Sequence, residues 1–492
     1  MRTYIKHIVI AGAALLASGT ITAQNLNSAY FLEGFAQGHE MNPAKEYDRK
    51  GYVSMPLLMG YMNLGTKGNL NLKDVLYKNP NGSGLVTYLH PSIDSDKALS
   101  AFSSRNKLIM DTRYDLVSVG FHAFKGYNTI SLGLRVNAGV NIPYELFEVT
   151  KKLTNKDYNI SSAGATARSW VELALGHSHQ INEAWRIGGK LKFLVGAGYA
   201  NVKMSGVDLN LSDENQWTAT ANATAEVGVK NFTWGKTETK EYKSRPGTYE
   251  QIDFGNIDVD KFGPNGFGAG LDLGVEWDLG KQGWVDGLKV SAALLDLSFI
   301  KWKDVATAQN RGETFVFNGF NNIRVQGDPA GVKMGDQTDD LADRLSDLYS
   351  LQPGEYTSKA TWLGATLNIG VEYALPAYDR LKFGLLSTTR MQGTYTWNEQ
   401  RMAVTVSPIK WLEVSGNVGL GTCGANLGWI INIHPRGFSL FLGSDHCLGK
   451  FTKQGIPMRS SYDFAMGISF PFGKSRIGKE QVWREHIQRP ME

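Results

Sequence analysis

The chain has 492 residues, with 51 basic and 47 acidic side chains and a formal net charge of +4. This near balance, without a long run of one sign, argues against a nucleic-acid-binding protein. The length suits two or three soluble domains or one large barrel. A mean hydropathy of −0.25 argues against an inner-membrane protein built from helices.

The first 24 residues predict a secretory signal peptide. Arg2 and Lys6 supply positive charge, residues 8–17 form a short apolar stretch, and residues 22–24 (TAQ) offer a cleavage site. The apolar stretch is shorter than the roughly 20 residues that a spanning helix needs. An exported chain without spanning helices is periplasmic, secreted or an outer-membrane barrel.

Alternating apolar and polar residues predict β-strands along the rest of the chain. In residues 130–140 every even position is apolar, and the odd positions are Ser, Gly, Arg or Asn. The same period of two appears in 185–199, 267–277 and 363–373, often with an aromatic residue at an end. Because side chains on a strand point to opposite faces in turn, each stretch has one apolar face. Runs of about 9–11 residues with terminal aromatics are typical of transmembrane barrels. A soluble all-β protein is the alternative.

We therefore predict an all-β fold, a transmembrane antiparallel β-barrel of about 14 strands (14–16) with long extracellular loops, over residues 51–472. The predicted strands are 51–63, 107–124, 127–140, 164–180, 185–203, 216–229, 266–279, 286–303, 359–374, 380–395, 399–407, 411–421, 424–434, 437–447 and 460–471, with 205–212 as a further candidate. Both chain ends and all short turns then fall on the periplasmic side. The long connections 64–106, 141–163, 231–262 and 304–357 fall outside.

Three segments outside the strands complete the layout. Residues 144–153 and 339–351 have helical patterns and are expected at the surface or in the barrel mouth. Residues 473–492 form a polar tail, which this topology places in the periplasm.

Cys423 and Cys447 are the only cysteines of the chain. They lie almost equally far from a proposed turn at Pro435, so antiparallel pairing would bring them opposite each other. Such residues come close to disulfide range, and the compartment is oxidising. A cross-strand disulfide is predicted, with two reduced thiols as the alternative.

No motif predicts catalysis, a cofactor or a metal site. His177 and His179 share a strand face, but the sequence places no third ligand beside them. The glycines of residues 266–270 lie inside a strand pattern and not before a helix, so they do not predict a nucleotide site. The motifs G-x-S-x-G and H-E-x-x-H are absent. We expect a protein that is not an enzyme.

Several short segments carry a family resemblance: 29–34 (AYFLEG), 39–44 (HEMNPA), 171–177 (VELALGH), 189–194 (GKLKFL) and 268–274 (GAGLDLG). With them the mature chain resembles an uncharacterised family of Bacteroidetes outer-membrane β-barrels, a domain of unknown function. It is distantly similar to FadL-like long-chain fatty-acid transporter barrels, in which a segment before the first strand forms a hatch inside the lumen. The resemblance implies a hatch in residues 25–50, with Asn42, Pro43 and Ala44 in a tight bend.

These features predict a passive channel or transporter in the cell outer membrane for small molecules, hydrophobic ones included. Its partners would be outer-membrane lipid and a small hydrophobic ligand, with no nucleic acid. The alternative is a non-transporting barrel with an envelope protein partner, acting in assembly or secretion. Long outer loops and a basic tail motivate that alternative. Both an open lumen and a plugged lumen are compatible with these features.

Overall fold

The computed structural model describes residues 26–473 except 55–61, 81, 83, 153, 155, 161–162, 212–215, 235–236, 242–246, 253–257, 260–262, 311, 313, 319–349 and 450–457. The predicted signal peptide at 1–24 lies outside the described residues. So do the polar tail after Gly473 and residues 339–349 of the second predicted helix.

Within the described part of the chain, fourteen antiparallel strands close into one barrel, which confirms the predicted fold and strand number. The strands are β1 (Gly51–Ser54 and Met62–Gly68), β2 (Arg105–Ala123), β3 (Gly126–Pro143), β4 (Ala163–Gln180), β5 (Trp185–Asn210), β6 (Trp217–Val229 and Gly266–Asp278), β7 (Leu288–Gln309), β8 (Gln352–Leu375), β9 (Tyr378–Met391), β10 (Trp397–Ile409), β11 (Leu412–Gly421), β12 (Gly424–Ile433), β13 (Ser439–Ser444) and β14 (Tyr462–Phe472). Gly51 of β1 pairs with Phe472 of β14 and with Phe121 of β2, so the ring is closed.

The alternation in the sequence separates an outer apolar face from an inner polar one. On β5, Leu191 and Phe193 point outward and expose 58% and 53% of their surface, whereas Lys190 and Lys192 point inward and expose 2% and 3%. Closure pairs the backbone groups of each strand with both neighbours, so an apolar outer face can contact lipid without unpaired edges. The fold therefore matches the architecture of a transmembrane barrel.

One strand was predicted wrongly as two. Residues 216–229 and 266–279 are the halves of β6, because both pair with β5: Val229 faces Gly198, and Gly266 faces Gly196. The chain leaves the sheet between these two pairs, and residues 230–265 form an insertion. The further strand considered at 205–212 is, over its residues 205–210, the end of β5, which continues to Asn210 through a left-handed Gly206 with φ 66°.

Aromatic side chains mark two levels of the outer surface. Trp185 and Trp277 stack with ring centroids 4.9 Å apart at the end where the chain enters and leaves the barrel, hereafter the short-turn end. Further along the strands, Phe267 and Trp362 expose 57% and 49% of their surface. Aromatic girdles at both interfaces are typical of membrane barrels.

The opposite end of the barrel, the long-loop end, has a small apolar core of its own. Helices α1 (Leu72–Val75), α2 (Ser95–Leu99) and α3 (Tyr144–Lys151) lie here, and α3 confirms the helix predicted at 144–153. Phe102 and Phe147 stack at 3.8 Å beneath Tyr88. Of the helices in the described ranges, none is both long and apolar enough to cross a membrane. Short strands complete this end at Leu76–Lys78, Leu85–Thr87, Tyr158–Ile160, Phe232–Thr233, Thr237–Glu241, Thr248–Ile252, Asp258–Val259 and Thr314–Phe317.

Candidate functional site

The chain before β1 lies inside the barrel. We name residues 26–50 the lumen segment. Leu26, Tyr30, Met41 and Ala44 of this segment each expose 1% or less of their surface. Two 3₁₀ turns, Asn27–Ala29 and Gly38–Glu40, fold it compactly. The barrel is therefore occupied by its own N-terminal residues, toward the short-turn end.

The predicted bend residues lie in the middle of the lumen segment. Asn42 Oδ1 accepts a hydrogen bond from the backbone N–H of Ala44 at 2.9 Å, and Asn42 Nδ2 donates to the carbonyl oxygen of Val275 at 3.2 Å. An Asn side chain that binds the backbone two residues on stabilises a tight turn. Asn42 thus both forms the bend at Pro43 and ties it to β6.

Glycines on the inner face of the wall make room for the lumen segment. A Cβ atom at Gly188 would overlap the backbone of Pro43, and one at Gly274 would overlap the Asn42 side chain. Similar recesses receive aromatic rings: Tyr30 lies over Gly370, and Phe31 lies over Gly384. The alternation of glycine with charged residues on the inner strand faces thus has a structural reason, because the missing side chains are replaced by this segment.

Two wall carboxylates bind backbone amides of the lumen segment. Asp445 accepts hydrogen bonds from the backbone N–H groups of Asn27 and Ser28, each at 2.7 Å. Glu413 accepts from the backbone N–H groups of Glu33 and Gly34, both at 3.1 Å. Hydrogen bonds from amides to an ionised carboxylate are stronger than neutral ones. These contacts hold the first third of the segment to β11 and to the end of β13.

The segment in turn places carboxylates on wall cations. Glu40 binds Arg113 of β2 and lies 3.0 Å from Lys190 Nζ of β5, and all three side chains are buried. Arg113 also binds Asp115 at 2.7 Å. Because a buried charge without a partner is costly, docking of the segment stabilises these wall cations by giving them a carboxylate partner.

A second, more exposed ion pair lies near the short-turn end of the barrel. Glu33 contacts Lys382 Nζ at 2.5 Å and Lys289 Nζ at 3.6 Å, but 44% of its side chain is exposed. Exposed ion pairs contribute little, because water screens them. The two glutamates thus make the same kind of contact in very different surroundings.

His39 lies beside Glu40 in the lumen segment. Its Nε2 is 2.6 Å from the hydroxyl of Tyr52, and its Nδ1 is 3.2 Å from Glu40 Oε1. Burial, together with the nearby charge of Lys190, lowers the pKa of His39 to about 4. The docked segment therefore holds a neutral imidazole at pH 7.

Beyond the segment, toward the long-loop end, a layer of paired charges fills the lumen. Lys192 contacts Asp272 at 2.8 Å and Asp296 at 2.6 Å, and Arg390 contacts Asp296 at 3.2 Å. Arg135 binds Glu172 at 3.1 Å. These three cations and three carboxylates all belong to the barrel wall, so their charges are balanced without any contribution from the lumen segment.

One part of the barrel wall that the lumen segment covers is apolar. Leu386, Ile430 and Phe441, from β9, β12 and β13, are buried against the segment. Phe35 packs edge-on against Phe441, with centroids 4.9 Å apart. Displacement of the segment would expose this apolar surface to the lumen.

A short connection crosses the lumen above these layers. Residues 392–396 join β9 to β10, yet Gln392 Nε2 donates to Asn137 Oδ1 of β3 at 2.6 Å. The hydroxyl of Tyr395 donates to the carbonyl oxygen of Gly139 at 3.2 Å. Since β3 stands six strands from β9 in a ring of fourteen, the connection reaches the opposite wall.

The two cysteines do not meet as predicted. Trp429 pairs with Ser444, and continuing this register past β13 puts Asn426, three residues after Cys423, opposite Cys447. The backbone N–H of Cys447 accordingly donates to Leu427 at 3.0 Å. Both cysteines are free thiols in the structure, so the expected disulfide is not formed. The pairing of Ile433 with Leu440 centres the hairpin between residues 436 and 437, so equal distance from Pro435 does not bring the cysteines together.

The family resemblance implied a hatch with Asn42, Pro43 and Ala44 in a bend, but no sequence signal pointed to the residues that bind the segment. Asp445 and Glu413 act on residues more than 370 positions away, and no local pattern reveals such pairing. The signal that was available is chemical: charged residues such as Lys190 on the inner face of a strand require partners. His177 and His179 stack with centroids 6.1 Å apart, and among the described residues no group of three or more potential ligands could hold a metal.

Comparison with known proteins gives a family and several distant structural matches. The model described as "Family of unknown function (DUF5723)" matches residues 43–445. No curated protein matches. The Pseudomonas putida toluene transporter TodX is 8% identical to this chain, with a TM-score of 0.39. The alignment covers 89% of this chain and 95% of the TodX chain. A Pseudomonas aeruginosa FadL homologue is 10% identical with a TM-score of 0.39, covering 92% and 98%. Likenesses of this size carry no inference about transport.

Proposed function

We propose that this chain, which belongs to the family of unknown function (DUF5723) described above, is an outer-membrane barrel that passes small hydrophobic molecules and is closed by its lumen segment. The observation that carries the proposal is the segment itself. It fills glycine recesses of the wall, and its described contacts with the wall are non-covalent. Such a segment can leave its site while the ladder of the barrel stays intact.

The location in the outer membrane is proposed from the outer surface. Exposed apolar side chains such as Leu191, Phe193 and Leu385 alternate with buried polar ones, and aromatic rings mark two levels. An apolar band between aromatic girdles is the surface that lipid contacts in bacterial barrels. Lipid is therefore the first proposed partner.

Hydrophobic molecules are proposed as the ligands because of the wall beneath the segment. When the segment moves, Leu386, Ile430 and Phe441 lose the side chains that cover them. Exposing apolar surface to water is unfavourable, by about 25 cal/mol per Å². A hydrophobic solute that covers the same surface would stabilise the displaced state.

The proposal is tested by locking the segment. A Cβ atom at Gly428 would lie 2.6 Å from the Ser28 hydroxyl oxygen, so a Ser28→Cys and Gly428→Cys pair is placed to form a disulfide. The background carries Cys423→Ser and Cys447→Ser. We expect the oxidised pair to abolish entry of the dye 1-N-phenylnaphthylamine into cells that depend on this barrel. A reductant should restore entry.

Each single cysteine variant serves as a matched control, and oxidant should leave its own dye entry unchanged. If the oxidised and reduced forms of the pair admit dye equally, with the disulfide verified by mass spectrometry, then the segment does not close a pathway. No dye entry above that of cells lacking the protein, with or without reductant, would contradict the transport proposal itself.

A second candidate is a non-transporting barrel that binds an envelope protein. The long-loop end favours it, because this end has its own apolar core around Phe102 and Phe147 and exposes 59% of Leu85. A Leu85→Asp variant should then lose a partner that co-purifies with the wild type after cross-linking. Co-purification of the same proteins with both forms would contradict this role.

A further inference from the structure

The connection at residues 392–396, hereafter the strap, crosses the lumen on wall contacts of its own. Its contacts are with Asn137 and Gly139 of β3, and Tyr395 Oη also approaches the carbonyl oxygen of Gly164 on β4 at 3.5 Å. None of these wall residues is among those that hold the lumen segment. The strap and the lumen segment therefore bind different parts of the same lumen wall.

The sequence is adapted to this crossing. A Cβ atom at Gly139 would lie 2.6 Å from the Tyr395 ring, so only a glycine there lets the ring rest on the backbone of β3. Gly393 has φ 58°, in the left-handed region that favours glycine, and it opens a single 3₁₀ turn, Gly393–Tyr395. The glycines at 139 and 393 therefore permit the inward path of the strap.

A second cross-lumen contact lies beside the strap. Lys67 of β1 reaches Glu399 of β10 at 2.9 Å, and its Nζ lies 3.4 Å from the centroid of the Trp397 ring. Strand β1 stands five strands from β10 around the ring. This bridge fixes the start of β10 and, with it, one end of the strap.

We propose that the strap is a second gate, and that a solute crosses the barrel only when both the lumen segment and the strap have moved. The inference rests on the proposed function. Tyr395 is then the specificity-determining residue, because its ring occupies the space between opposite walls. The strap makes two hydrogen bonds to β3, at 2.6 and 3.2 Å, and breaking so few contacts allows thermal opening.

The test locks the strap and leaves the lumen segment unmodified. A Tyr395→Cys and Gly139→Cys pair, in the Cys423→Ser and Cys447→Ser background, replaces the ring contact with a reducible link. A matched control joins neighbouring strands with Thr405→Cys and Ser415→Cys, whose hydroxyls lie 2.9 Å apart. We expect oxidation to stop entry of 1-N-phenylnaphthylamine in the strap pair and to leave the control pair unchanged.

A second variant works without a disulfide. Tyr395→Phe keeps the ring but removes the hydrogen bond to Gly139. Loss of one neutral hydrogen bond should raise dye entry about 5-fold if the strap limits the rate. Tyr395→Ala should in addition admit larger dyes that the wild type excludes.

The outcomes distinguish a failure of the second-gate proposal from a failure of the proposed transport function. Dye entry that is stopped by the segment lock but not by the strap lock, and that is unchanged in Tyr395→Phe, would overturn the second gate alone. Dye entry that is absent in every form would overturn the transport function. Entry stopped by either lock, each reversed by reductant, is the result that two gates in series require.

Discussion

Replacing Glu40 with glutamine should release the lumen segment while the barrel remains folded. Glutamine keeps the size of the side chain but removes the charge that faces Arg113 and Lys190. Arg113 keeps Asp115 as a partner. Lys190, which is only 2% exposed, loses its 3.0 Å contact with the Glu40 carboxylate. Breaking a buried pair by removing one partner costs about 3–5 kcal/mol. We take the lower end, about 3 kcal/mol, since Arg113 stays paired, which corresponds to roughly a 100-fold larger population of the undocked segment.

The assay is labelling of a buried cysteine in the segment. Ala29 is fully buried and small, so Ala29→Cys in the background without native cysteines reports on undocking through its rate of reaction with a maleimide. The matched control is Glu33→Gln, which makes the same chemical change at a site where 44% of the side chain is exposed. An exposed pair is worth at most about 1 kcal/mol, so the control should label no more than ~5-fold faster. Equal rates for Glu40→Gln and Glu33→Gln would refute the role of the buried pair.

Three further predictions use matched changes. Gly188→Val should overlap the segment and speed labelling of Ala29→Cys roughly 10-fold or more, whereas Gly416→Val, with open space around it, should not. Lowering the pH from 7.5 to 5 should speed labelling of Ala29→Cys about 30-fold, once the rate is divided by that of a free thiol at the same pH. The pKa of His39 is depressed to about 4, so its stabilisation is present above the ordinary value near 6.5 and is lost as the pH falls; His39→Gln should abolish this dependence. Leu191→Arg should destabilise the barrel in lipid by about 2–4 kcal/mol in urea titrations, unlike Leu85→Arg at the long-loop end.

The sequence predicted the barrel because its dominant signal is local. Alternation in residues 130–140 or 267–277 requires only neighbouring positions and a strand period of two. Local signals also explain the error in β6. Residues 216–229 and 266–279 each alternate like a complete strand, and only their shared partner β5 shows that they are halves of one.

The candidate site was predicted in part for the same reason. The Asn42-Pro43 bend is a local feature, and the family resemblance placed it in the lumen, where the structure also has it. Register and cross-lumen contacts are not local. The pairing of Glu40 with Arg113, the reach of Tyr395 to Gly139 and the offset of the cysteines each depend on how distant strands align.

A distance measurement tests most directly whether the lumen segment moves during transport. Spin labels at Glu33→Cys in the segment and Lys410→Cys in the turn between β10 and β11 occupy exposed positions that tolerate a label. Without solute, pulsed electron paramagnetic resonance in proteoliposomes should give one narrow distance. Adding a hydrophobic solute should populate a second, longer distance. A single unchanged distance, under conditions in which the same proteoliposomes take up the solute, would contradict the account.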